Sequence, residues 1–214
     1  IIFTGAGDPV AAGLVASLAR PGGNVTGFSI ISAALMPKRL ELLTELVPQA
    51  RNVALLLNPK SGLTERSLTG ALDLAQAKGI QLQVLKASTM IEVASAFETI
   101  SRAHIEALVV ADDPFFASQR VQIVTLAASH QVPAIYQFRD FVAAGGLISY
   151  GVSLRALYRQ AAIQTVRVLQ GANPRNLPVQ QASVFELAIN LNTAKALGLT
   201  IPLSILGRAD EMID

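Results

Sequence analysis

The sequence contains no cysteine and only two histidines. A chain without thiols forms no disulfide, holds no metal through thiolates and has no cysteine nucleophile. His104 and His130 are far apart and lack local metal-ligating partners, which is typical of surface or helix-end histidines. These residues argue against a metal site, and we expect no cofactor.

Long apolar runs and clusters of basic residues are also missing. Although 51% of the residues are hydrophobic, no run approaches the roughly 18 apolar residues of a membrane helix. The 17 basic residues barely outnumber the 15 acidic ones and are not clustered, so we expect no nucleic-acid partner. The 214 residues suffice for one or two domains with a sizeable core.

No phosphate-binding loop is present. Gly5 and Gly7 lie in a glycine-rich turn, but the third glycine of the dinucleotide fingerprint is absent. The chain has no Gly-Lys-Ser or Gly-Lys-Thr either, which excludes a P-loop. Asp8 is instead placed to cap a helix predicted over residues 10–19.

Short apolar runs ended by turn residues alternate with helical patterns along the whole chain. In IEALVVADDPFF, the run Ala107–Ala111 ends at two carboxylates and Pro114, a pattern that indicates a strand buried on both faces. Repeated strand–helix units predict an α/β fold with doubly wound parallel sheets. The predicted strands are 1–3, 25–28, 53–57, 81–85, 108–111, 133–136, 147–150 and 185–190, and the predicted helices are 10–19, 38–46, 63–78, 92–103, 119–130, 141–144, 154–169, 192–196 and 203–213.

Polar and aromatic residues recur at the ends of the predicted strands. Taken singly, each one fits a helix cap or a core side chain better than a ligand contact. Because the carboxyl ends of parallel strands meet at one edge of a sheet, the set together predicts the lining of one cleft. The set is Thr4, Asp8, Ser29, Asn58, Asp112, Asp113, Tyr136, Ser149 and Tyr150.

The set is poor in catalytic groups. No histidine lies near it, and Ser29 is not part of a nucleophile elbow. Asp112 and Asp113 could hold Mg²⁺ through oxygen, so a Mg²⁺-dependent α/β hydrolase is one alternative function. Neighbouring residues of a strand point in opposite directions, however, which disfavours a shared ion. The composition suits recognition better than catalysis, and we predict that the protein is not an enzyme.

Four long segments carry a resemblance to a known family. They are IIFTGAGDPVAAGLVASLARPGGNVTGFS, MPKRLELLTELVPQARNVALLLNP, PAIYQFRDFVAAGGLISYG and FELAINLNTAKALGLTIPLSILGRADEMI. These segments resemble the ABC-transporter substrate-binding protein family related to tryptophan/tyrosine-binding lipoproteins. The resemblance implies a type I periplasmic-binding-protein fold, in which two hinged α/β lobes clasp the ligand. Family members carry a further portion before the position of Ile1, so we expect an N-terminally truncated first lobe.

The resemblance also implies a division of the chain. Residues 1–30 and 170–214 would belong to the first lobe, and residues 38–150 would form the second. Residues 30–37 and 150–170 would be hinge crossings and a connecting helix. A lobe without its central strands leaves unpaired edges and apolar faces, and we therefore expect the fragment to form dimers.

By loop position, the resemblance implies ligand contacts from both lobes. Asp112 is expected to pair with a ligand ammonium group, and Tyr136 or Phe115 is expected to stack on the ligand. The implied contacts are Thr4, Asp8 and Ser29 from the first lobe, and Asn58, Asp112, Phe115, Tyr136 and Tyr150 from the second.

The implied function is that of a solute-binding component of a bacterial ABC importer. The ligand would be a small molecule such as an aromatic amino acid or a related small acid, and the partner a membrane permease. The protein would lie in the periplasm or be lipid-anchored at the outer face of the cytoplasmic membrane. A further alternative is the effector-binding domain of a regulator with the same lobed fold.

Overall fold

The computed structural model describes residues 1–30, 33–61 and 64–214. The chain divides into two compact units, which we describe separately. Unit 1 comprises Ile1–Ser32 and Val152–Phe185, and unit 2 comprises Ala33–Gly151 and Glu186–Asp214. Residues 31–32 of the predicted hinge crossing, and Leu63 at the start of a predicted helix, lie outside the described residues.

Strands and helices alternate through most of the chain, as predicted. The strands are β1 (Ile2–Ala6), β2 (Thr26–Ser29), β3 (Asn52–Leu57), β4 (Gln81–Lys86), β5 (Ala107–Val110), β6 (Ala134–Tyr136), β7 (Ile148–Val152), β8 (Gln180–Gln181), β9 (Phe185–Asn190) and β10 (Glu211–Ile213). The α-helices are α1 (Met36–Leu46), α2 (Thr64–Lys78), α3 (Met90–Arg102), α4 (Pro114–Ser118), α5 (Arg120–Ser129), α6 (Arg139–Ala143), α7 (Leu154–Leu169), α8 (Leu191–Ala196) and α9 (Leu203–Leu206).

Unit 2 is built on a seven-stranded sheet with the order β10-β9-β7-β6-β5-β3-β4. The pairs β3–β4, β3–β5, β5–β6, β6–β7 and β9–β10 are all parallel. After β4 the chain crosses β3 and continues as β5 on the other side. The strand order therefore reverses between β3 and β5, which makes their carboxyl ends a topological switch point.

Apolar side chains cover both faces of this sheet. In β5, Val109 belongs to a cluster with Leu40 and Leu43 of α1, which we call the α1-side cluster. Leu108 points the other way, into a cluster with Phe97 of α3, which we call the α3-side cluster. Successive side chains of a strand face opposite sides, so a strand covered by helices on both faces must be apolar throughout. The prediction of a doubly buried strand is confirmed.

Unit 1 contains the smaller sheet β1-β2-β8, in which both strand pairs are parallel. Phe28 of β2 and Leu157 of α7 are central to its apolar cluster. Beneath the sheet, the buried Thr26 hydroxyl donates to the Leu177 carbonyl at 2.8 Å and accepts from Gln164 Nε2 at 2.8 Å. Both units thus combine parallel strands with helices, and unit 2, whose sheet is covered on both faces, has the doubly wound α/β character that the sequence predicts.

The helix predicted over residues 10–19 is not formed. That segment consists of turns and bends, although Asp8 Oδ1 still accepts from the amides of Val10 (3.2 Å) and Ala11 (3.0 Å), as a cap would. Gly13 adopts a left-handed conformation with φ of 70°. A residue in the left-handed conformation typically ends a helix, so the turn that starts after Asp8 does not continue beyond Gly13.

The last predicted helix is wrong beyond its first turn. The helix α9 ends at Leu206, and Glu211–Ile213 form β10 in parallel with β9. The connection is held by Asp210, whose amide donates to the Leu187 carbonyl at 2.9 Å and whose carboxylate accepts from the Leu187 amide at 2.8 Å. This pairing is long-range, and it overrides the local helical pattern. The helix α8 begins at Leu191, one residue before the predicted start, and Asn190 is its cap.

The unit boundaries also differ from the predicted lobe boundaries. Residues 186–214 fall in unit 2, because β9 and β10 extend its sheet. Residues 152–170, predicted as a connecting segment, fall in unit 1, where α7 packs on β1 and β2. Within the described parts of the chain, no helix combines the length and apolar character that a membrane crossing requires.

The close approach of β7 to the end of β6 generates a prediction. A Cβ built on Gly151 would clash with the carbonyl oxygen of Gln137. We expect Gly151→Ala to lower the free energy of unfolding by about 1–3 kcal/mol, because the two strand ends must separate. Urea unfolding followed by circular dichroism measures this. Gly23→Ala is the control, since its Cβ has no atom within 4 Å; equal stability of the two variants would contradict the account.

Candidate functional site

At the switch point of unit 2, a hydrogen bond joins residues that follow two neighbouring strands. Asn58 directly follows β3, and Asp113 follows β5; both are buried. Asn58 Nδ2 donates to Asp113 Oδ1 at 3.1 Å. The same carboxylate oxygen accepts from the Phe115 amide at 2.9 Å and so caps α4. The ends of β3 and β5 are thus held side by side, with Asp112 next to the bond.

These contacts do not favour the alternative function, a hydrolase that holds Mg²⁺ through Asp112 and Asp113. Asp113 uses its carboxylate to cap α4 and to bind Asn58. Among residues 1–30, 33–61 and 64–214, no group of three or more His, Cys, Asp or Glu side chains is arranged to hold a metal ion. The geometry therefore offers no support for a hydrolase that uses Asp112 and Asp113 with Mg²⁺.

A buried cation lies at the same edge of the sheet. Arg39 of α1 is 1% exposed, and its Nε donates to the Tyr150 carbonyl of β7 at 2.7 Å. Burial lowers the pKa of Arg39 to about 10, while the nearby Asp112 carboxylate and Tyr150 phenol oppose that shift. The guanidinium is therefore charged at neutral pH. The edge thus combines a buried positive charge with the negative charge of Asp112.

Gln137 directly follows β6, between the ends of β5 and β7 in the sheet order. Its side chain is fully buried, and within the described part of the chain neither Nε2 nor Oε1 has a hydrogen-bond partner. A Cβ on Gly151 would meet the Gln137 carbonyl and would lie 3.4 Å from Arg39 Nη2. The guanidinium is therefore a neighbour of the Gln137 main chain.

The structure assigns Tyr136 to the core. Its side chain is 1% exposed and its ring stacks on Phe141, with centroids 4.7 Å apart and planes 13° from parallel. Burial raises the pKa of Tyr136. Both rings belong to the α3-side cluster. This environment accounts for Tyr136 without a ligand, and we do not retain it as the stacking residue.

The other two aromatic candidates of unit 2 are partly accessible. Phe115 lies in α4, half-buried, with its ring centroid 5.7 Å from that of Phe116. Tyr150 is also half-buried, but it lies inside β7, which runs two residues further than predicted. Its ring packs against the α1-side cluster. Phe115 and Tyr150 are therefore partly accessible aromatic side chains at this edge.

Three predicted contacts belong to unit 1. Ser29 ends β2 and pairs in register with Ala6 at the end of β1. Asp8 follows two residues after β1, and its Oδ1 binds the amides of the next turn. Thr4 lies within β1, because the strand continues to Ala6 rather than ending at Phe3. Asp8 and Ser29 thus lie at neighbouring strand ends of unit 1, as predicted.

Arg39 and Gln137 were missed by the sequence reasoning, although both leave a signal. Arg39 precedes Leu42, Leu43 and Leu46 by three, four and seven residues, which puts a cation on the apolar face of α1. Gln137 is two residues after Ile135, so it continues the side of β6 that faces the α1-side cluster. A polar residue that interrupts an apolar periodicity therefore indicates a buried polar side chain of this kind.

Comparison with known proteins identifies relatives of the whole chain. A family model described as ABC transporter substrate binding protein matches residues 1–213. A tyrosine-binding protein of Clostridioides difficile strain R20291 is 30% identical over 199 residues, which are 93% of this chain and 57% of that protein. The chain thus spans little more than half the length of this curated relative.

Two solved structures resemble this chain closely. A conserved domain protein from Vibrio cholerae O1 superposes with a TM-score of 0.86 at 30% identity, covering 99% of this chain and 71% of that one. An ABC domain in complex with L-Trp from Streptococcus pneumoniae superposes with a TM-score of 0.85 at 28% identity, covering 99% and 73%. With the family model spanning residues 1–213, the chain belongs to the ABC transporter substrate binding protein family.

Proposed function

We propose that this protein is the solute-binding component of an ABC importer and binds an aromatic amino acid or a related small acid. The observation that carries the proposal is the group of polar side chains at the β3/β5 switch point, where Asn58 donates a hydrogen bond to Asp113. Ligands of doubly wound sheets bind outside the carboxyl ends of the strands at such a point. Family membership and the relatives named for tyrosine and L-Trp support the same class of ligand.

The charges at this edge suit a zwitterion. Asp112 is partly exposed, whereas the Arg39 guanidinium is buried behind the edge. In the proposed complex, Asp112 accepts a hydrogen bond from the ligand ammonium, and the charge on both groups strengthens that bond. Phe115, half-buried in α4, stacks on the aromatic part of the ligand. Asn58 and Tyr150 complete the contacts from unit 2.

Several parts of the proposal come from the family rather than from the geometry. Thr4, Asp8 and Ser29 remain proposed contacts from unit 1. The proposed partner is a membrane permease, and the proposed location is the periplasm or, with a lipid anchor, the outer face of the cytoplasmic membrane. The proposed action is binding and delivery of the solute without chemical change.

Isothermal titration calorimetry with L-Trp, L-Tyr and L-Phe tests the proposal. We expect the protein to bind at least one of them with one site per chain, and Asp112→Asn to weaken that binding roughly tenfold or more through loss of a charge-assisted bond. Asp73→Asn is the matched control, because Asp73 is exposed on α2 of the same unit. Binding by none of the three amino acids, or equal affinity of the two variants, would contradict the proposal.

A second prediction concerns the buried cation. We expect Arg39→Met to lower the free energy of unfolding by about 3 kcal/mol, because it leaves the Tyr150 carbonyl and the Asp112 carboxylate without their buried cation. Arg120→Met, at an exposed position of α5, should stay within about 0.5 kcal/mol of the wild type. Chemical denaturation measures both. If the two variants were equally stable, Arg39 would not be holding this edge together.

A further inference from the structure

Gln137 is the most unusual polar residue of unit 2. It directly follows β6, which lies next to β5 in the sheet, and Asp112 lies two residues after the end of β5. The Gln137 side chain is 0% exposed, yet both amide atoms lack a partner among the residues that the structure describes. A buried amide without partners is strongly unfavourable, and nearly all buried polar groups in proteins are satisfied. Packing in the core therefore does not explain why a glutamine occupies this position.

A buried glutamine of unit 1 shows what a structural role looks like. Gln164 is 4% exposed, and its Nε2 donates to Thr26 Oγ1, which in turn donates to the Leu177 carbonyl. That amide ties α7 to β2 and to the chain before β8. Gln137 makes no comparable connection within the described residues. Its amide therefore does not serve to hold secondary-structure elements together.

The surroundings of Gln137 identify what it can bind. A side-chain amide presents a donor and an acceptor side by side. The Arg39 guanidinium adjoins its main chain, and Asp112 follows the neighbouring strand. An α-amino acid head group matches this arrangement, because its carboxylate accepts hydrogen bonds next to a cation and its ammonium donates them.

We propose that Gln137 is a specificity-determining residue of the binding site, whose side-chain amide hydrogen-bonds the polar head group of the bound solute. This inference rests on the proposed function, since it assigns a further contact to the same site. It goes beyond that function by naming a side chain that discriminates between a complete amino acid head group and an analogue without the ammonium group. The binding site uses the amide of Gln137, whereas the unliganded fold does not require it.

The test separates binding from stability. Gln137→Met keeps the length of the side chain and removes the amide, so we expect an unfolding midpoint without ligand equal to or above that of the wild type. In calorimetry with L-Trp and L-Tyr, the same variant should bind at least about tenfold more weakly. It should also lose most of the wild-type preference for L-Trp over its deamino analogue, indole-3-propionate.

Two matched variants complete the experiment. Gln164→Met removes a buried amide with a structural hydrogen bond, so it should lower the unfolding midpoint. Gln122→Met, on the exposed face of α5, should change neither stability nor affinity. Wild-type affinity in Gln137→Met, or a loss of stability as large as that of Gln164→Met, would overturn the inference.

Failure of the proposed function would be visible separately. If the wild type bound neither L-Trp nor L-Tyr, the proposed ligand class would fall. The unfolding midpoint of unliganded Gln137→Met would then decide the inference. A midpoint at or above the wild-type value would support the inference that the Gln137 amide binds a solute, in this case one of another class. A clearly lower midpoint would overturn the inference.

Discussion

Parallel pairing in the sheet of unit 2 is the constraint on which the site depends. It brings the ends of β3, β5, β6 and β7 to one edge, and the strand order reverses between β3 and β5. The Asn58–Asp113 hydrogen bond joins the residues that follow these two strands. The apolar runs of the strands and the helices on both faces maintain the register, so the polar edge is a product of the apolar core.

Several buried polar side chains of unit 2 lie where the core meets this edge. Arg39 extends from the apolar face of α1 to the Tyr150 carbonyl, and Gln137 is buried beside it. Burying a cation and an amide is unfavourable unless their interactions are satisfied. Proteins tolerate such local inconsistency mainly at functional sites. The arrangement is therefore consistent with the proposed recognition of a small, charged and partly apolar solute at this edge.

Most of the fold could be predicted because its signals are local. The run Ala107–Ala111 between turn residues predicts the buried strand β5. The failures have longer-range causes. The strand β10 forms only because β9 is available to pair with it, and the segment after Asp8 turns at Gly13 instead of continuing as a helix.

The candidate site was harder to predict than the fold. Asn58 and Asp112 follow from strand ends, but Tyr136 satisfies the same rule and packs against Phe141, because an aromatic residue at a strand end fits a core equally well. Arg39 lies in a helix, so a rule that considers only residues at strand ends does not identify it. Its position among leucines of α1 becomes informative only when the periodicity of the helix is considered.

The most direct test of the central claim is a crystal structure of the protein grown with L-Trp. We predict that the amino acid lies against the carboxyl ends of β3, β5 and β6, with its ammonium in hydrogen-bond contact with Asp112 and its head group in contact with Gln137. An L-Trp molecule bound elsewhere, with no contact to Asn58, Asp112, Gln137 or Tyr150, would contradict the account.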